Sequence, residues 1–438
     1  MSLLIVLACI VLLVVFISYF KINAFLAFLL VSIGGGLALG IDAVKIGSVV
    51  QKGIGDMLGS LVVVIIAGSM LGKLVADTGA AQRIASGMMK LFGERYLQYA
   101  LVITGFVIGI PLFYNVGFVL VFPLIASVVY RYKLPAVYVG MPIIAALSVT
   151  HGFLPPHPSP AALVAQFNAN MGTTLFYGVI IAIPTVLIAG PVFSKSLKGI
   201  NASLMKSFQA EELPEEKLPG LFNSLASSLL PVLLLAVTTI VNISVAADSP
   251  VKGIAAFLND SSILMLLSLC VATYTLGLSR GHSMRHLMTM YGESTKDVLM
   301  IILIVGGSGA LKEVLIQSGV SQQIGDLLDG LAVHPLVLGW GIACVIRVCV
   351  GSATVAGLTA AGIVAPLLAA HPEVDPSLMV LSVGAGSLMF SHVNDSGFWL
   401  FKEYYNLSIR DTIRSWSLME TIVAICGLIG VLILNAII

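Results

Sequence analysis

Apolar residues in this chain run on for helix-length stretches, and polar residues gather between them. The runs cover about 3–20, 23–40, 59–77, 98–130, 136–168, 174–193, 222–244, 262–279, 297–316, 335–370, 376–402 and 416–437. About 20 apolar residues take a helix across a ~30 Å hydrocarbon core, so the pattern predicts an all-α polytopic membrane protein. The runs are continuous rather than alternating, which argues against a transmembrane barrel.

Two runs are too long for one crossing. No charge lies between Arg95 and Arg131, and a straight helix of that length would reach ~50 Å. Both flanks are basic (Arg95; Arg131 and Lys133), so both ends belong on the cytoplasmic side. A re-entrant hairpin with its tip near residues 111–118, PLFYNVGF, meets both conditions. Residues 335–370 predict a second hairpin, with its tip near 351–357, GSATVAG. It opens from the outside, where its flanks carry no Lys or Arg. Basic residues at 21, 83–95, 131–133, 195–217, 280–296 and 402–414 then share the inner side, which places both termini outside.

The halves of the chain echo each other. DTGAAQRI at 77–84 matches QSGVSQQI at 317–324 in its Gly, Gln and Ile, and LSVTHGFL at 147–154 matches LSVGAGSL at 381–388. Each half runs span, hairpin, polar-interrupted helix, and the halves thread in opposite senses. The expectation is an inverted-repeat transporter with two re-entrant hairpins and two broken transmembrane helices. Residues 1–58 and 222–296 supply scaffold helices, and 194–221 form a cytoplasmic loop. Residues 59–193 make the first repeat (hairpin about 98–130, broken helix about 136–168). Residues 297–438 make the second (hairpin about 335–370, broken helix about 376–402).

Composition agrees. The chain is 58% hydrophobic and 10% charged, against about a quarter charged in soluble domains. A net charge of +1 points to no nucleic-acid partner. The five cysteines lie in apolar runs, so neither a disulfide nor a metal cluster is expected, and no cofactor. Neither HExxH nor a nucleophile–base motif appears, so the chain does not read as an enzyme. Residues 2–19 lack a basic leader and a cleavage site, and read as a first span rather than a signal peptide.

The chemistry sits in the interruptions. THGFLPPHPSP, residues 150–160, and SHVNDSG, residues 391–397, each break an apolar helix. Prolines at 155, 156, 158 and 160 cannot continue a helical ladder. Broken backbone survives in a membrane only inside protein or beside a watery cavity. Two tips and two breaks are therefore expected to converge near mid-bilayer, offering helix ends to ions and polar groups. Candidate ligand contacts are Asn115 and Gly117 in the first tip, and Ser352 and Thr354 in the second. His151 and His157 come from the first break, Ser391 and Asn394 from the second. Ionisable groups inside spans are functional by default, which singles out Asp395, His392 and Arg347, the last as a source of positive potential.

LSVTHGFLPPHPSP, GSATVAG and SHVNDSGFWLFKEYYNL closely resemble the corresponding stretches of the gluconate:proton symporter (gluconate permease) family. The resemblance extends over essentially the whole chain, including ADTGAAQRIA and FYNVGF. Position 159 is Ser where the family's familiar residue is Gly. The resemblance implies a multi-pass bacterial inner-membrane carrier, dimeric and working by elevator-type alternating access. Its substrate would be gluconate or a related sugar acid, bound between the tips and breaks and carried with a proton. Asp395 is then the first candidate proton carrier, with His392, His151 and His157 as alternatives. A carrier of D-serine, another small hydroxy acid or a dicarboxylate, coupled to sodium, is the competing expectation.

Overall fold

The computed structural model describes residues 2–438 except 94–95, 113, 205–212, 246–248, 321–332 and 394. Among the described residues every regular element is helical. Seven helices are long and apolar enough to cross a membrane.

Helices α1 (Ser2–Ser18) and α2 (Ala24–Ala38) lead into α3 (Ala43–Asp77), the longest element. It starts well before the apolar run near 59, because Lys52 and Asp56 pair across one helical turn on an exposed face. Its counterpart in the second half is α13 (Met284–Gln317). The two cross antiparallel: Gly53 packs on Gly309, and Ser69 Oγ donates to Ser294 O at 2.8 Å. A Cβ on Gly53 would fall 2.4 Å from the Gly309 carbonyl oxygen, so only glycine permits this backbone-on-backbone approach. Both helices end alike, in left-handed glycines Gly79 (φ 76°) and Gly319 (φ 70°). This is the structural content of the DTG and QSG echo; the rest of that second stretch, from 321, lies outside the described residues.

After α4 (Ala80–Phe92) come α5 (Leu97–Gly109), α6 (Tyr114–Tyr132) and α7 (Ala136–Phe153). Helix α5 runs parallel to α7: Gln98 Nε2 donates to Tyr138 O, Gly105 packs on Ile143, and Gly109 packs on Thr150. Helix α6 returns antiparallel to α7, since Gly117 packs on Leu147 while residues 133–135 join the helices' other ends. Helices α5 and α6 thus form a hairpin, with a turn at residues 110–112. Helix α7 breaks at residues 154–157 and resumes as α8 (Pro158–Gln166). Pro158 takes the first helical position, where the missing N–H costs nothing.

Helices α9 (Met171–Leu187), α10 (Leu221–Ser244), α11 (Pro250–Asn259) and α12 (Ser261–Ala272) connect this half to α13. The motif then recurs. Helices α14 (Pro335–Val350) and α15 (Ala353–Ala370) form the second hairpin, with Gly339 of one packed against Val364 of the other. Helix α16 (Pro376–Gly386) runs parallel to α14: Ser382 Oγ donates to Leu336 O, and Gly386 packs on Trp340. It ends at Gly386, and the next helix is α17 (Ser396–Tyr404). One α-turn (Ile409–Thr412) and one π-turn (Ile413–Ser417) lead into the last helix, α18 (Leu418–Asn435).

Candidate substrate site

A cavity of about 400 Å³ lies where the two hairpin tips meet the second break, within the size of small-molecule sites. Its walls are Tyr114 and Asn115 at the start of α6, Ser352 to Thr354 at the start of α15, and Asp395 to Gly397 at the start of α17. Ser148 and His151 of α7, Arg347 of α14, and Trp416 and Glu420 around the start of α18 complete it. Three helix N-termini therefore face one chamber, each with the positive end of its dipole, and Ser352 and Asp395 each cap only one N–H of their helices. That geometry favours an anion.

The charged groups are organised by a buried network. Arg347 Nη2 donates to Asp395 Oδ2 at 2.6 Å, with the two side chains 3% and 14% exposed. Arg347 Nη1 donates to the Gly351 carbonyl at the second tip. Ser391 Oγ donates to Asp395 Oδ2 and accepts from Trp416 Nε1 at 2.7 Å, while Ser417 Oγ donates to the Ser391 carbonyl. Asp395 Oδ1 caps α17 by accepting from Gly397 N at 3.1 Å. The π-turn of 413–417 is what brings Trp416 and Ser417 to Ser391 together. Trp416 also packs on Tyr114, with ring centroids 5.4 Å apart, which joins the first tip to the same network.

Two histidines tie each hairpin to its own break. His157 Nε2 donates to the Gly109 carbonyl at 2.6 Å, and His392 Nε2 donates to the Val348 carbonyl at 2.9 Å. A carbonyl only accepts, so the ring nitrogen carries the hydrogen in both.

Several buried polar atoms of the wall have no hydrogen-bond partner among the described residues: Tyr114 Oη, His151 Nδ1, Arg347 Nε and Glu420 Oε2. The other Glu420 oxygen, Oε1, accepts from Ser148 Oγ at 2.6 Å. Each buried orphan costs about 1–3 kcal/mol, which is uncommon in a wall built only for packing.

The family model for GntP family permeases matches residues 1–437. The chain belongs to the GntP permease family. It is 46% identical to a high-affinity gluconate transporter of Escherichia coli (strain K12), over the full length of both chains. It is 44% identical to the Gnt-II system L-idonate transporter of the same organism, again over both full lengths. A gluconate permease of Bacillus subtilis (strain 168) is 43% identical over 95% of this chain and 96% of that one. Among solved structures, the YdaH transporter of Alcanivorax borkumensis shares the fold at 14% identity, with a TM-score of 0.66 over 94% of this chain and 97% of that chain. MtrF of Neisseria gonorrhoeae does so at 15% identity, with a TM-score of 0.63 over 89% and 84%. The GntP family member described here is a multi-pass membrane transporter, not an enzyme.

Of the GntP permease's candidate residues, the cavity gathers Asn115, His151, Arg347, Ser352, Thr354 and Asp395. Gly117 is buried against Leu147, behind the first tip. Ser391 is buried one layer back, beneath Asp395. His157 is buried at the first break, its ring 5.2 Å from that of His151, and lines a void of only about 20 Å³. His392 turns to Val348, and Asn394 lies outside the described residues. Sequence reasoning passed over Tyr114, Ser148, Trp416 and Glu420. Glu420 had a signal, a lone acid inside the apolar run of 416–437. A larger cavity of about 650 Å³ lies near Asp56, Asn168, Asp260 and Lys312. Its charges are largely matched, Lys52 with Asp56 and Glu313, and Lys312 with the Gln166 carbonyl, and neither hairpin tip reaches it.

Proposed function

We propose that this protein imports gluconate or a related sugar acid across the bacterial inner membrane by proton symport. The observation that carries the reading is the 400 Å³ cavity, with three helix N-termini and Arg347 around it and unpartnered polar atoms in its wall. A sugar acid offers one carboxylate and several hydroxyls. The carboxylate matches the N–H groups at the starts of α15 and α17, with Arg347 alongside. The hydroxyls match Asn115, Ser352, Thr354 and His151. The buried Arg347–Asp395 pair is neutral as a unit, so substrate and proton together bring the loaded site no net charge. The names of the gluconate and L-idonate relatives support the substrate class.

The two hairpins and two broken helices are the moving part, sliding as an elevator past a frame that includes α3 and α13. The locked glycine contact between those two helices supports their role as frame. The protein works as a dimer with both termini in the periplasm.

Uptake of labelled gluconate into proteoliposomes with an imposed pH gradient tests the proposal. The expected result is accumulation that needs the acid-outside gradient, is blocked by excess L-idonate, and is indifferent to D-serine, citrate and replacement of sodium by choline. Accumulation that follows sodium instead, or that D-serine or citrate suppresses better than idonate, would overturn it.

A further inference from the structure

Glu420 is the one wall residue with a buried carboxyl and no cation beside it. Its side chain is buried, 2% exposed. Oε1 accepts from the Ser148 hydroxyl and Oε2 has no partner among the described residues. Among the described residues, no Lys or Arg pairs with it. Asp395, in the same wall, has the opposite setting: an arginine, a hydroxyl and a backbone N–H converge on it. A bare, unpartnered carboxylate at the depth of Glu420 is far costlier than the neutral acid.

The surroundings of Glu420 hold nothing that would replace the missing partner. Tyr114 faces it from α6, and Ser148 and His151 from α7. Arg347 from α14 and Asp395 from the second break are near enough for their charges to be felt, but they are committed to each other. Helices α9 and α16, which also pack on α18, bring no charged side chain. Arg414, earlier on the same stretch, is exposed.

We propose that Glu420 carries the transported proton, and that Asp395 is a fixed counter-ion for Arg347. The inference deepens the symport reading above and rests on it. Glu420 takes one proton from water on the outer side when the substrate anion enters. It returns that proton to water on the inner side when the anion leaves, so one anion and one proton cross together and no charge moves. A charged Glu420 would repel the incoming carboxylate across the cavity. Protonation and anion binding therefore favour each other, and by linkage to the same extent.

The test compares wild type with Glu420→Gln in proteoliposomes, measuring both pH-driven accumulation of labelled gluconate and gluconate–gluconate exchange. The variant is expected to lose accumulation while exchange persists, at a reduced rate, and no longer varies with pH. Wild-type-like accumulation by the variant would overturn the role of Glu420 and leave the symport reading standing. Wild type that shows no proton-driven accumulation would overturn both. Ser148→Ala supplies an independent readout should the Glu420 variant fail to assemble. Losing that one donor is expected to move the pH midpoint of uptake upward by about half to one pH unit, and an unmoved midpoint would overturn the proposal.

Discussion

The two helix breaks occupy equivalent places in the two repeats and are built in opposite ways. The first is made of prolines. Phe153, Leu154 and His157 around it are almost wholly buried, and the adjoining void holds about 20 Å³. The second is made of Ser, His and Asp. It opens on the 400 Å³ cavity, and its charge is held by an arginine from the neighbouring hairpin. Proline removes a donor outright and leaves less backbone to satisfy. A carboxylate cap satisfies the free N–H groups with a charge that then needs a partner of its own. One break thus serves packing and the other chemistry, although both follow a hairpin in the same order of elements.

Removing Arg347 strikes hardest at that contrast. Arg347→Gln leaves Asp395 buried and unpaired, with an expected loss of about 3–5 kcal/mol of stability and of nearly all transport. Adding Asp395→Asn should recover much of the stability, read as a melting temperature in detergent, but none of the transport. Equal melting temperatures for the single and double variants would mean that the pair is not coupled.

The histidines give a subtler comparison. His157→Ala, inside the packed break, is expected to cost about 1–3 kcal/mol, and His392→Ala, at the more open one, less than about 1 kcal/mol. The reverse order in thermal melts would contradict the division between a packed and a working break. Asn115→Ala and Thr354→Ala belong to the working side. They should raise the KM for gluconate several-fold, in line with ~1 kcal/mol per hydrogen bond, with melting temperatures unchanged. Ser159→Gly belongs to the packed side, since Ser159 is buried beside Gly357 away from the cavity. It should change KM by less than about twofold.

The hairpins were legible because an uncharged run longer than a bilayer, with like flanks, has few other solutions. The tips expected at 111–118 and 351–357 correspond to turns at 110–112 and 351–352. Helix starts were less legible. Helix α13 begins at Met284 rather than near 297 because Arg285, His286 and Glu293 lie on an exposed face that hydropathy alone counts as loop. Arg347 and Asp395 both stood out in the sequence, but nothing in it says that residues 48 positions apart are partners. The close packing of the first break was hidden too. Its histidines read as polar, whereas the fold spends His157 on a carbonyl of the adjacent hairpin.

That use of histidine has a consequence for how the molecule answers acid. An imidazole that faces a carbonyl gives up a hydrogen bond from the same nitrogen whether the ring is neutral or cationic. Acidification therefore leaves both clasps fastened. Each hairpin stays harnessed to its own broken helix at low pH as at high.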